Sequence, residues 1–133
     1  MGDKHILIRN KRRVYLNKVT AVRMDKKLDD TAVSVNQETK YKVLNNPEGG
    51  ISISVNTKTF VEPGVLFSIE TEHIIEFMVG DEITVEEINS NIREIIAPLG
   101  AEVSYIVASI TKEMIGSRMI LPPILNLNTA DKQ

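Results

Sequence analysis

The sequence predicts an α+β fold, in which a four-stranded antiparallel β-meander packs against a long C-terminal α-helix that is kinked or split near Pro98. Apolar residues alternate with polar ones through most of the first 80 residues, which is the period of a half-buried strand. From Thr84 onward they recur at steps of three and four, which is the period of an amphipathic helix. Short turns rich in Gly, Pro and Asn separate the alternating runs, and such connections favour antiparallel neighbours.

The first strand is predicted over residues 12–24. Its apolar residues fall on both parities, so its inner face stays open: Val14, Leu16 and Val22 lie on one parity, and Tyr15, Val19 and Ala21 on the other. The later strands keep one parity, with apolar residues at odd positions through 33–43, 51–55 and 65–79. The turns between them lie at 45–50, 62–64 and 80–81.

The helical region begins with a predicted capping box, because Thr84 and Glu87 have the spacing at which each side chain accepts from the other residue's free backbone N–H. Pro98 lacks an N–H and clashes with the preceding turn, so we expect a short first piece and a longer helix over about 99–116. The pair Pro122 and Pro123 prevents helix, so residues 119–128 should be extended.

The widths of these elements do not match. A helix is about 10 Å wide, whereas a four-stranded sheet is about 15–20 Å across. We therefore expect a second copy of the chain to cover the rest of the apolar face, in a homo-oligomer that is a dimer or a tetramer. The predicted oligomer interface is the helical stripe of Ile92, Ile96, Leu99, Val103, Ile106 and Ile110.

Composition bounds the class of protein. A chain of 133 residues with 42% hydrophobic residues can bury one core, and we expect one domain over residues 1–133. The absence of cysteine excludes disulfides and thiolate metal sites. No apolar run approaches the roughly 20 residues of a membrane span. The first residues resemble no signal peptide, and Ile6 breaks the myristoylation pattern, so we expect a cytoplasmic protein.

Charge is unevenly distributed along the chain. Residues 1–27 carry nine Lys or Arg against two Asp, whereas residues 28–133 carry seven basic against sixteen acidic residues. Each segment can simply solvate its outer face, the basic N-terminal segment can attract an anionic partner, or the two segments can attract each other between subunits. The basic triplet 11–13 has only Tyr15 as a nearby aromatic, so nucleic-acid binding is not expected.

No pattern of residues points to catalysis or to a cofactor. His5 and His73 are the two histidines and lack metal-ligand spacing, so we interpret both as ordinary surface or sheet residues. Glu70, Glu72 and Glu76 share one strand face, but without Asp-rich loops a solvated face is the better interpretation. We therefore expect no metal, no cofactor and no enzymatic activity.

Three stretches of the sequence resemble the SecB-type protein-export chaperones, and the chain looks like a short, divergent SecB-like member. Residues 13–19 (RVYLNKV) resemble the first strand of that family, and residues 64–69 (GVLFSI) resemble a later strand. Ala97-Pro98, then Tyr105-Ile106, then residues 121–126 (LPPILN) resemble the long helix and the Pro-rich stretch after it.

This resemblance implies a four-stranded sheet with a long helix, dimers of dimers with helices packed between sheets, and no catalysis. The family holds unfolded polypeptides in apolar grooves, and its best-known members pass them to the SecA motor. Lys18, Val22 and Phe60 occupy the positions matched to the family's motor-docking acids, which argues against a SecA partnership. The loop at 25–30 is short, and we expect no second helix after the Pro-rich stretch, so the groove should lack one wall.

The leading hypothesis is a SecB-like holdase that binds unfolded or extended polypeptides, with protein export as one setting. Binding would combine apolar burial, at about 25 cal/mol per Å², with main-chain pairing at a free strand edge. The alternative is an adaptor of the same fold for one dedicated client, antitoxin-like or from a phage, without handover to SecA. A small-molecule-binding or enzymatic domain is the third hypothesis. Candidate polypeptide contacts, each of which also fits a core or interface position, are Leu28, Val33, Val35, Ile120, Leu121, Ile124 and Leu125.

Overall fold

The computed structural model describes residues 12–23, 34–45, 50–62, 67–77 and 83–127. Within these ranges four antiparallel strands form one sheet, and three helices follow it, the last of them long. The predicted fold class is thus confirmed. The strands are β1 (Arg12–Arg23), β2 (Ser34–Asn45), β3 (Ile51–Glu62) and β4 (Phe67–Phe77), and the helices are α1 (Val85–Ser90), α2 (Ile92–Ile96) and α3 (Leu99–Ile115).

The order of strands across the sheet is β1-β4-β3-β2. β2, β3 and β4 follow one another as the predicted meander, but β1 pairs with β4 at the far edge and not with β2. The connection over residues 24–33 allows this placement. That number of residues can reach about 33 Å, whereas three strand spacings measure about 15 Å, so closeness in sequence did not require β1 to lie beside β2.

A β-bulge in β1 explains why its apolar residues fall on both parities. The register shifts between Leu16 and Lys18, which leaves Asn17 as the extra residue. Before the bulge, Leu16 lies opposite His73, and after it Val19 lies opposite Thr71, so both belong to the same face of the sheet. The bulge is therefore the reason why the apolar residues of β1 change from even to odd positions in the sequence.

The core lies between one face of the sheet and the helices. Odd-numbered residues of β3 and β4 point toward the helices, and nearly all of them are buried. One cluster, under α1, α2 and the start of α3, contains Tyr41, Ile53, Val55, Ile75, Phe77, Ile88, Ile92, Ile95, Ile96 and Leu99. A second cluster, under the middle of α3, contains Val61, Phe67, Ile69, Val103 and Val107.

The helical region is divided into three pieces. The capping box at Thr84 is present, since the Glu87 amide donates to the Thr84 hydroxyl at 3.1 Å and the Thr84 amide donates to the Glu87 carboxylate at 3.0 Å. The break at Pro98 is also confirmed. A further break, which the sequence pattern did not indicate, lies at Asn91, whose side-chain amide donates to the carbonyl of Glu87 at 2.8 Å.

After Gly116, which ends α3 in the left-handed region at φ 81°, residues 117–127 run beside the helix without forming another helix. We call these residues the C-terminal segment. The amide of Met119 donates to Thr111 Oγ1 at 2.8 Å, and the Ser104 hydroxyl donates to the carbonyl of Leu121 at 2.7 Å. The segment then reaches the outer edge of β2, which places it between α3 and that edge of the sheet.

Candidate functional site

A wide groove runs along the side of α3 where the C-terminal segment packs. It has a volume of about 520 Å³. Short side chains on this flank of the helix, those of Ala101, Ser104 and Ala108, leave the space open between the helix and the segment. We call this the wide groove, and its lining is Ala101, Ser104, Tyr105, Ala108, Ser109, Arg118, Ile120, Leu121 and Pro123.

Two large apolar side chains in the wide groove are exposed to solvent. Tyr105 is 74% exposed and Ile120 is 73% exposed. Tyr105 lies off the apolar stripe of α3, so the helical period that identified the core did not select it. A position off the stripe predicts exposure to solvent, but it is the packing of the C-terminal segment that places Tyr105 at a groove. An exposed aromatic residue next to an exposed aliphatic one is typical of a surface that binds a partner.

A narrow groove of about 200 Å³ lies on the other side of Pro123, between α2 and the C-terminal segment. Ile124, 68% exposed, stands at its rim, and Arg93 supplies a charge. Its full lining, which defines the narrow groove, is Arg93, Ile96, Ala97, Pro123, Ile124, Leu125 and Leu127.

The structure places most of the predicted polypeptide contacts along this segment. Ile120 and Leu121 line the wide groove, and Ile124 and Leu125 line the narrow one. Val35 lies on β2, half-buried, and packs with Leu121 and Leu125 against the second core cluster. Leu28 and Val33 lie outside the described residues.

The predicted interface residues divide into two groups. Ile92, Ile96, Leu99 and Val103 are at most 5% exposed, because the chain's own sheet covers them. They have little surface to offer a second copy. Ile106 and Ile110 are half-buried and lie on the same flank of α3 as Glu102, which approaches His73 of β4 next to β1.

One strip of the sheet remains without a cover among the described residues. On the helix side of β1, Val14, Leu16 and Val19 are 40%, 42% and 40% exposed, and Ala21 continues the row. The corresponding residues of β3 and β4, such as Val55 and Ile75, are 1% exposed or less. We call the four β1 residues the β1 strip. Its exposure is what the comparison of helix and sheet widths predicts.

His73 is buried beside this strip. Its side chain is 1% exposed, and neither ring nitrogen has a hydrogen-bond partner among the described residues. The carboxylate of Glu102 lies 3.8 Å from Nε2. Desolvation lowers the pKa of His73, and the charge of Glu102 opposes that shift. No group of three or more potential metal ligands occurs among the described residues.

The opposite face of the sheet carries no helix among the described residues, and we call it the helix-free face. It is mostly polar, and its carboxylates have partners on β1 and β3. Glu72 accepts from Asn17 at 2.9 Å and from Ser54 at 2.8 Å, and these hydrogen bonds lower its pKa. Glu76 accepts from Tyr15 at 3.3 Å and pairs with Arg13 at 3.8 Å. Part of the basic N-terminal charge therefore faces acidic β4 within one chain.

The three positions matched to motor-docking acids also lie on this helix-free face. Val22 and Phe60 both lie opposite Ser68, and Lys18 lies opposite Glu72. The ammonium of Lys58 stands 5.5 Å from the centre of the Phe60 ring. Among the described residues, no helix is long and apolar enough to span a membrane.

Comparison with known proteins gives a likeness of structure. No family model matches the sequence, and no curated protein matches it. A SecB-like chaperone from Mycobacterium tuberculosis, solved in complex with a ChAD peptide from the HigA1 antitoxin, superposes with a TM-score of 0.67 at 12% identity, over 92% of this chain and 98% of that one. A protein of unknown function from Streptococcus agalactiae reaches a TM-score of 0.45 at 14% identity, over 84% and 95% of the two chains. The four-stranded sheet and the long C-terminal helix are the elements that the sequence resemblance implied, and the first of these superpositions supports the same fold. The chain therefore has the fold of the SecB-like chaperones.

Proposed function

We propose that this chain is a SecB-like chaperone that holds unfolded or extended polypeptides in the wide groove, and that it binds without catalysing a reaction. The observation that carries the proposal is the exposure of Tyr105 and Ile120 on either side of an open groove in a chain with this fold. We place the protein in the cytoplasm, acting as one domain over residues 1–133.

The physical basis is apolar burial. Covering exposed apolar surface stabilises a complex by about 25 cal/mol per Å², and an exposed Tyr supplies a large contact area at a small cost in side-chain entropy. The wide groove is also lined by Ser109 and Arg118, whose side chains carry a hydroxyl and a guanidinium. Such polar groups can bind the main chain of an extended polypeptide whatever its sequence.

We also propose that a second copy of the chain covers the β1 strip in a homo-oligomer. The strip is apolar, it lies on an edge strand, and half-buried Ile106 and Ile110 continue it on α3. Handover to SecA is not part of the proposal, because Lys18, Val22 and Phe60 leave the matched docking positions without acids.

The test is protection of a chemically unfolded client protein from aggregation at substoichiometric ratios of chaperone. The wild type should delay aggregation, and Ile120→Asp should remove most of the delay because it places a charge in the wide groove. Val22→Asp is the matched control, since it introduces the same charge at an exposed apolar residue on the opposite face of the sheet. Absence of a delay by the wild type against several clients would refute the proposal.

A second candidate function is adaptor for one dedicated client. The SecB-like neighbour that holds an antitoxin peptide favours it, as does the charged, helix-free face of the sheet. Salt separates the two candidates. Binding through apolar burial should persist at about 0.5 M salt, whereas docking through surface charges should weaken sharply.

A further inference from the structure

We propose that the outer edge of β2 accepts an added strand from an extended polypeptide with apolar side chains at alternate positions, and that residues 124–127 of the chain occupy this edge until such a polypeptide displaces them. The inference deepens the proposed polypeptide binding and rests on it. It assigns the main-chain pairing to one edge of the sheet, and it adds a substrate pattern and an internal competitor.

The first step is the state of the β2 edge. The amide of Thr39 donates to the carbonyl of Asn126 at 3.0 Å, and Thr39 and Leu127 form an isolated parallel bridge. Among the described residues, this is the one backbone hydrogen bond made by the outer edge of β2. Main-chain groups of every second residue in a strand point the same way, so those of Val35, Gln37, Tyr41 and Val43 point outward with Thr39.

The second step is the pattern of side chains in the segment that sits there. Leu125 and Leu127 are half-buried and pack against the core, whereas Ile124 and Asn126 between them are exposed. This is the alternation of an edge strand with one face on a core. The segment therefore shows which polypeptide fits the edge: one with apolar residues at positions i and i+2.

The third step is how the segment is held. Among the described residues it pairs with β2 only at Thr39, whereas an added strand that paired along all of β2 would form backbone hydrogen bonds at Val35, Gln37, Tyr41 and Val43 as well. The segment is seated by Pro123, whose carbonyl oxygen lies where a Cβ on Gly100 would be. Gly100 is helical and buried, so its lack of a side chain matters here because it admits Pro123. A side chain at position 100 would therefore displace the C-terminal segment from α3.

Gly100→Ala is therefore the testing variant. Alanine favours the helix but overlaps Pro123, so the substitution should release residues 124–127 and open the β2 edge. The apparent affinity of the edge for a peptide is its intrinsic affinity multiplied by the fraction of molecules in which the edge is open. The variant should therefore bind a strand-forming peptide about tenfold more tightly than the wild type. Glu113→Ala, at an exposed position on the same helix, controls for helix propensity. Leu127→Ser loosens the segment independently, in case Gly100→Ala is poorly folded.

The probe is a synthetic peptide with Val at every second position and Ser or Lys between, together with two N-methylated copies. One copy is methylated at the odd residues and the other at the even residues, so their side chains are the same but opposite main-chain edges are blocked. We expect one copy to lose binding and the other to keep it. Binding of the unmethylated peptide should also slow amide exchange at Val35, Gln37, Tyr41 and Val43.

The outcomes separate this inference from the function on which it rests. Equal affinity of wild type, Gly100→Ala and Leu127→Ser, an equal response to both methylated copies, or unchanged exchange at Val35, Gln37, Tyr41 and Val43 would overturn strand addition. None of these results affects aggregation delay through the wide groove. Failure of the wild type to delay aggregation of any client would instead remove the proposed function.

Discussion

At the scale of single residues, the most unusual group is His73. It is buried on the sheet, it has no hydrogen-bond partner among the described residues, and desolvation lowers its pKa. The two histidines and their spacing were visible in the sequence, but the burial of His73 was not. It depends on the helix crossing β4 at Glu102, which is a long-range contact.

The lowered pKa of His73 predicts a pH dependence of stability. The unfolded chain takes up a proton near pH 6.5, whereas the folded chain resists it, so stability is complete above pH 6.5 and falls as pH drops toward the folded pKa. His73→Leu should remove this dependence and raise the free energy of unfolding at neutral pH by about 1–2 kcal/mol, because it removes a buried imidazole that makes no hydrogen bond to any described residue. Urea unfolding at pH 7.5 and 5.5 measures both effects, with His5→Gln as the control.

The same loss of stability between these pH values in His73→Leu and in the wild type would assign the titration to other groups. Reduced stability of the variant at pH 7.5 would show that the imidazole has a partner that stabilises it.

At the scale of elements, features that depend on a few neighbouring residues were predictable. The capping box at Thr84 and the break at Pro98 follow from local chemistry, and both are present. The break at Asn91 was missed because the apolar period continues through it, while its cause is one side-chain hydrogen bond to Glu87. The bulge at Asn17 produced a parity conflict, but only the pairing with β4 showed which residue was extra.

The capping box predicts a measurable contribution to stability. Thr84→Ala should lower the free energy of unfolding by about 1 kcal/mol, because the Glu87 amide loses its acceptor at the first turn of α1. Thr84→Ser should restore most of the loss, since the hydroxyl is retained. Thermal or urea unfolding of the three proteins measures this, and equal stability of the alanine and serine variants would contradict it.

At the scale of the whole molecule, the sequence was informative about which surfaces exist and less so about how they are arranged. The widths of helix and sheet predicted an uncovered apolar strip, and the part of the chain that the structure describes leaves one on β1. The strip lies beside β4, which the turn lengths did not predict. The grooves were partly predictable. The Pro-rich stretch indicated Ile120 and Ile124 as groove residues. The place of Tyr105 in the wide groove was not predictable, because it depends on the packing of the C-terminal segment against α3.

The β1 strip predicts self-association. Leu16→Glu should shift the protein toward monomer, because it places a charge in the surface that we assign to a second copy. Val22→Glu changes the same strand on its other face and should leave association unchanged. Sedimentation at micromolar concentration distinguishes these cases, and a wild type that is only monomeric would refute the shared interface.

The central claim is that extended polypeptides bind at the wide groove, and site-specific photo-crosslinking tests it most directly. A photoreactive residue replaces Ile120 in one protein and Val22 in another, and each is irradiated with an unfolded client protein. We predict client adducts at position 120 and almost none at position 22, although both side chains are exposed and apolar. Equal adducts at the two positions, or adducts only at position 22, would contradict the account.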